Sequence, residues 1–396
     1  MSLRSRVGAL ASRVYPNLDE RIWNRQRDRE FPASVARSVQ PLSSPREAHV
    51  LVVPQEGPDF DSWRPGTRNF YFETWQTAIE MFGESRVSFF DVARGESWES
   101  WIPRLVGKAN EVGATHIITH IESDPGSQST TWHWDVAWAE LLRSWDGVLL
   151  GVMFDSAYYW IGAQSRRLAR MSPRFMAVDI CMPMDGAMKR GRPEVGPVNM
   201  PMSAVSLDLV RQRCAGTEKV WDVSFVGVLY PYRVEALDEL RRRGLSVVVN
   251  PHRVDDADDY VSTTANQPSW LDYMAGLASS RMTINFSQSN ARPVEQLKTR
   301  VIEGMLAGTV VVTDDVDRTS RFFTPGREYL PFRGLDDLLD VVTGALADAE
   351  QLAAIPARVR PRAETLANRG FWEAIDVGLG RRRLPRVSIV GGDAIP

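Results

Sequence analysis

The sequence predicts an α/β protein with two doubly wound, Rossmann-like domains facing each other across a cleft. Three observations carry this expectation. Short apolar runs alternate with amphipathic stretches, the pattern of parallel strands joined by crossover helices. Several amphipathic stretches end in glycine, the residue that stops a helix most readily. The alternation breaks off near residue 215 and then restarts, so the chain reads as domains 1–215 and 216–362 followed by a helix and tail, 363–396, read as crossing back to the first domain.

In the first half, "HVLVVPQ" (49–55) reads as a strand and "RNFYFETWQTAIEMFG" (68–83) as a helix. "RVSFFDV" (86–92) is a strand, "SWESWIPRLVGKANEVG" (97–113) a helix and "ATHIITHI" (114–121) a strand. "WDVAWAELLRSW" reads as a helix and "DGVLLGVMFD" (146–155) as a strand. "RFMAVDICM" and "VGPVNMPM" read as the last short strands. In the second half, "DVSFVGVL" is a strand, "YRVEALDELRRRG" a helix and "LSVVVN" a strand. "WLDYMAGLASSR" is a helix, "MTINFS" a strand, "PVEQLKTRVIEGMLAG" a helix and "TVVVTDD" a strand. "LDDLLDVVTGALADAEQLAAI" reads as one helix.

Composition narrows the function classes. The chain has 396 residues, 43% hydrophobic and 24% charged, which fits packed domains rather than disorder. A net charge of -3 and no matching motif argue against a nucleic-acid binder. Two cysteines, without metal-ligand spacing, fit a reducing cytoplasm. No apolar run is long enough to span a bilayer. The basic start, with Leu3, Val7, Leu10 and Val14 at helical spacing, has two readings. One is a helix resting on the inner face of a membrane. The favoured one is a terminal helix packed on protein.

The stretch with the richest chemistry is "RPVEQLKTRVIEGMLAGTVVVTDD" (292–315). On one helix, Glu295 and Glu303 stand about 80° apart and two turns apart in height. Arg300, three residues before Glu303, shares its face. One reading is a surface helix with solvated ion pairs. The other places the helix N-terminus at the carboxyl edge of a parallel sheet, where its amides attract an anion. Lys298 and Arg300 then reach a diphosphate. A carboxylate further along accepts hydrogen bonds from a ribose diol.

The motif "EQLKTRVIE" with the small turn "GMLAG" resembles the E-x7-E segment of retaining GT-B glycosyltransferases of group 1, closest to their CgeB-like branch. "WDVSFVGVLYPYR" and "YMAGLASSRMTINFSQS" resemble two further segments of that branch. The match covers about residues 220–330; the first half matches only in its alternation. The resemblance implies a GT-B transferase that moves a sugar from a nucleotide-diphosphate donor, with retention. The acceptor, whether glycan, lipid, small molecule or protein, stays open. Neither a cofactor nor a metal is expected, because cations and helix amides at the leaving oxygens stabilise the departing diphosphate. A bacterial source is also expected. Glu303 is assigned to the ribose, Glu295 to the donor sugar, and Lys298 or Arg300 to the diphosphate. Arg233, beyond the turn at Gly227, reads either as a phosphate contact or as a surface arginine. Ser287 and Asn290, with Gln288 and Ser289, form the loop before the helix and read either as donor-sugar or phosphate contacts or as turn residues.

The acceptor side is read from fewer residues. Ten of the thirteen tryptophans lie in the first 160 residues. In "STTWHWDVAW", His133 or Asp135 reads as a polar acceptor-site group, whereas Trp134 and Trp138 read as core. Asp155 ends a strand where the cleft is expected and reads as a substrate contact. His116 and His120 share one strand face, but no third metal ligand accompanies them. The pairs Asp314–Asp315 and Asp336–Asp337 read as loop and cap residues. Two alternatives to transfer are a nucleotide-sugar 2-epimerase and a non-catalytic scaffold that binds sugar or a partner.

Overall fold

The computed structural model describes residues 47–54, 62–92, 96–122, 134–154, 156, 159–183, 194–250, 269–287 and 294–387. The chain divides into two compact units. The first comprises residues 1–57, 84–196 and 375–396, and the second residues 58–83 and 197–374.

The first unit holds a six-stranded sheet. Its strands are β1 (Val50–Val52), β2 (Val87–Phe89), β3 (His116–His120), β4 (Val148–Met153), β5 (Phe175–Asp179) and β6 (Glu194–Val195). All neighbours are parallel, in the order β2-β1-β3-β4-β5-β6. The Val/Ile/Leu runs of β1, β3 and β4 are buried because helices cover parallel sheets on both faces. Helices α2 (Trp98–Glu111), α3 (Trp134–Ser144) and α4 (Tyr159–Met171) cover one of these faces, with Trp101 and Trp138 packed 5.2 Å apart in the core. The tail of the unit is pinned by Asp376, which accepts from Arg386 and, at 3.1 Å, from the amide of Val387.

The second unit begins with α1 (Phe70–Phe82), which Asn69 caps through Oδ1 to the amides of Tyr71 and Phe72. Glu73 of this helix is fully buried, yet it accepts from the Ser203 amide at 2.6 Å and the Ser206 hydroxyl at 2.5 Å. Those residues open α5 (Ala204–Cys214). The sheet follows, with β7 (Trp221–Phe225), β8 (Val247–Val249), β9 (Ser280–Asn285), β10 (Val310–Thr313) and β11 (Leu330–Pro331), all parallel in the order β11-β10-β9-β7-β8. Its helices are α6 (Pro231–Arg242), α7 (Trp270–Ala278), α8 (Thr299–Leu306) and α9 (Leu335–Ala347), then α10 (Ala349–Arg381), whose last turns count with the first unit.

Two elements differ from the sequence expectation. The helix expected from Pro293 starts only at Thr299. The Gln296 amide donates to Asp317 O at 3.1 Å and Lys298 is extended (φ -59°, ψ 133°), so the chain from Val294 to Lys298 is drawn out of helical geometry. Glu295 therefore lies in an extended pair, Val294–Glu295, and not on the helix of Glu303. The single helix expected after Leu335 breaks at Asp348 (φ -114°, ψ 76°). Its Oδ1 accepts from the Gln351 amide at 3.0 Å and caps the next helix.

In both sheets the order reverses between the first and third strands of the unit. That switch point leaves a crevice beyond the carboxyl ends of those strands, where ligands of doubly wound sheets bind.

Candidate active site

In the second unit the switch point lies between β7 and β9. Beyond β7 the chain turns at Gly227, whose φ of +137° is a conformation that side-chain-bearing residues rarely adopt. A Cβ at this position would lie 2.9 Å from Arg300 Nη1. That nitrogen donates to Val226 O at 2.8 Å, so Arg300 lies against the turn. The Gly227 amide donates to Asn250 Oδ1 at 3.0 Å. Across the crevice, Arg233 joins the two strand ends. Its Nη1 donates to Val228 O at 2.9 Å and its Nη2 to Phe286 O at 3.1 Å. At 5% exposed, and with Tyr230 4.6 Å from its guanidinium, Arg233 is not a surface residue.

Helix α8 points its first turn at this crevice. Its cap is Lys298, which makes no side-chain capping bond. The first-turn amides and the nearby guanidinium of Arg300 together form a positive end. One face of α8 is anchored by Val301, Ile302, Met305 and Leu306 in the core. Gly304 lets the helix approach the sheet, since a Cβ there would be 2.8 Å from Thr283 Cγ2.

Glu303 is buried, 5% exposed, with its charge compensated. Trp270 Nε1 donates to Oε1 at 3.0 Å and the Tyr273 hydroxyl donates to Oε2 at 2.9 Å. Arg68 Nε stands 3.5 Å from Oε1. Burial, and next the Glu303 charge, raise the Tyr273 phenol well above its ordinary pKa, so it remains a donor. Arg68 also donates from Nη1 to Pro201 O at 2.7 Å, and its guanidinium lies 5.9 Å from the Trp270 ring centre.

Glu295 is buried and paired with Arg321 at 2.8 Å and Arg318 at 3.7 Å. Ser287 places its amide 3.1 Å from Asp314 Oδ2, and its hydroxyl also reaches that carboxylate. The Asp317 amide donates to Ser287 Oγ at 3.2 Å. Burial raises Asp317 to about 6, partly countered by Lys298. Among the described residues of this unit, four that are not glycine have positive φ: Arg68, Asn250, Asp315 and Arg318. All four belong to segments that touch the groups just described. Backbone strain of this kind concentrates at functional sites.

Residues 233–369 match the family model described as glycosyl transferase-like. The second unit thus carries a glycosyl transferase-like region, and the fold is GT-B. The likeness in fold is to the Anabaena protein HepE, solved with UDP and glucose, at 14% identity and a TM-score of 0.51 over 85% of this chain and 100% of that one. A sucrose-phosphate synthase from Thermosynechococcus elongatus is also similar, at 14% identity and a TM-score of 0.48 over 85% and 99%. No curated protein matches by sequence.

The structure brings several of the candidates together. Gly227 and Ser287 follow β7 and β9, Arg233 lies in the first turn of α6 and bonds to both strand ends, and Lys298, Arg300 and Glu303 cap or lie on α8. Asp155, His133 and Asn290 lie outside the described residues, as does the basic amino-terminal helix. In the first unit, His116 is a buried core group. It hydrogen-bonds Thr115 Oγ1 at 2.8 Å and, through Nε2, Pro385 O at 2.9 Å, and burial lowers it to about 4. His120 instead meets Glu122 at 2.8 Å. Glu122 also accepts from the Phe154 amide at 3.0 Å. Among the described residues no cluster of His, Cys, Asp or Glu is arranged to hold a metal, and no helix is long and apolar enough to cross a membrane. Asp315 accepts from the Ser320 amide and Asp337 from the Arg333 amide, both as loop or first-turn groups.

Sequence reasoning missed Arg68, Trp270 and Tyr273. Trp270 and Tyr273 are three apart on α7, a spacing that reads equally well as a core stripe. Nothing in the sequence links Arg68 to Glu303.

Proposed function

We propose that the transferase takes its sugar from a nucleoside-diphosphate donor held in the second unit. The observation that carries this reading is Glu303, a buried carboxylate set on a helix whose first turn faces the switch-point crevice. In this reading Glu303 accepts the ribose hydroxyls. The amides of α8 with Lys298 and Arg300 take the diphosphate. Gly227 keeps the turn free of a side chain so that phosphate approaches backbone. Arg233 holds the two strand ends that shape the crevice, and Ser287 lines it. Glu295, with Arg318 and Arg321, stands toward the donor sugar.

Chemistry follows from these placements. As the sugar–oxygen bond breaks, negative charge gathers on the diphosphate and the sugar becomes oxocarbenium-like. Cations and helix amides already aimed at the leaving oxygens stabilise that charge without reorganisation. Such a site works without a bound metal. We propose retention of the anomeric configuration on the family resemblance. For the acceptor hydroxyl, the assignment of His133 and Asp155 rests on sequence alone.

The test is a thermal-shift panel with UDP, GDP, ADP, CDP and dTDP on wild type and Glu303→Ala. UDP leads the panel because HepE was solved with it. A ligand that binds only the folded state raises its stability by mass action. One diphosphate is expected to stabilise the wild type and not the variant. Equal responses from both proteins would remove Glu303 from the site.

A further inference from the structure

The Glu303 carboxylate has fixed partners on both oxygens. A carboxylate offers about four lone-pair directions, two on each oxygen. Trp270 Nε1 occupies one on Oε1 and the Tyr273 hydroxyl occupies one on Oε2. Arg68 Nε, at 3.5 Å, contributes charge but makes no hydrogen bond. Among the described residues, one acceptor direction remains on each oxygen. That capacity matches the two O–H donors of a vicinal diol.

Orientation is fixed from outside the helix that bears Glu303. Both donors come from α7, one turn apart on one face. The Ser269 side chain caps α7 through the Asp272 amide, which fixes where the helix begins. Rotating the carboxylate away would strand two partly buried donors, which is costly. Arg68 covers the Trp270 ring and is itself held by Pro201 O.

We propose that Trp270 and Tyr273 are positioning residues that hold Glu303 in the orientation that reads both ribose hydroxyls, so that the site selects ribonucleotides over 2′-deoxyribonucleotides. This inference rests on the reading of Glu303 as the ribose acceptor. A site built to hydrogen-bond a hydroxyl discriminates against the analogue lacking it, because its own polar group is then left unpaired. Removing either positioning donor lets the carboxylate turn, and the penalty for the missing hydroxyl shrinks. A merely structural role would change stability and overall affinity but not this ratio.

The experiment is calorimetric titration of UDP, GDP and ADP, each beside its 2′-deoxy form, into wild type, Glu303→Ala, Tyr273→Phe and Trp270→Phe. The wild type is expected to prefer the ribo form of its ligand by roughly tenfold or more. Glu303→Ala abolishes the preference. Tyr273→Phe and Trp270→Phe each reduce it to about threefold or less, with the ribo form itself weakened. Tyr273→Phe removes a single oxygen, and Trp270→Phe is an independent second probe should the first lower the melting temperature. A preference that is lost in Glu303→Ala but intact in both α7 variants would overturn the positioning roles and leave the ribose reading standing. No preference in the wild type, or an unchanged one in Glu303→Ala, would remove the ribose reading and the inference with it.

Discussion

Replacing Gly227 with alanine tests how tightly the turn, Arg300 and the diphosphate crevice are coupled. At φ +137° an added Cβ costs about 1–3 kcal/mol of backbone strain. The same Cβ would lie 2.9 Å from Arg300 Nη1, the end of a flexible side chain that moves aside. Moving it gives up the bond to Val226 O, a charge-assisted contact contributing about 1.5–3 kcal/mol. The two terms add to a loss of roughly 2.5–6 kcal/mol. For a unit of this size that lowers its melting temperature by roughly 5–25 °C. Nucleoside-diphosphate affinity falls as well, because Arg300 leaves its place. The assay is scanning calorimetry with a nucleotide titration, repeated on Arg300→Ala and the double variant. If displacement matters, Gly227→Ala costs less when Arg300 is already absent. A melting temperature and affinity both matching wild type would refute the reasoning. Equal costs in both backgrounds would refute the part assigned to Arg300.

Two further outcomes follow from the structure. His116 holds a pKa of about 4 in the fold against an ordinary 6.5, because burial disfavours its charged form. The unfolded chain therefore takes up a proton between these values that the folded one refuses. Stability of the first unit is complete above pH 6.5 and is lost as pH falls through that window, by up to about 3 kcal/mol. His116→Gln should flatten this part of the pH–stability curve, and an unchanged slope would contradict the assignment. EDTA should leave nucleoside-diphosphate binding unchanged in titration. A loss that magnesium restores would reject the metal-free mechanism.

Much of the fold was legible because parallel sheets leave a coarse signature. "HIITH" and "VVVT" have few other places to go than buried strands between helices. Boundaries were less legible where tertiary bonds override local preference. Lys298 has a good helical propensity, yet the Gln296 amide bonds to Asp317 O and helix α8 waits until Thr299. The consequence reached the site, since the projected angle between Glu295 and Glu303 has no meaning once they lie on different elements. Arg233 had an open reading between phosphate contact and surface group. Its burial came from carbonyls of two strand ends that only the sheet order brings together. Glu303 was legible as a candidate from its motif. Its partners were not, because Arg68 lies far upstream and the tryptophan and tyrosine of α7 carry no periodicity distinct from that of a core face.

The most direct test of the central claim is a crystal structure of the protein with the diphosphate that stabilises it. The account predicts the ribose hydroxyls at about 2.5–3.2 Å from the Glu303 oxygens, and the phosphates against Gly227 and the first turn of α8. A nucleotide bound elsewhere, with Glu303 still held only by Trp270, Tyr273 and Arg68, would contradict it.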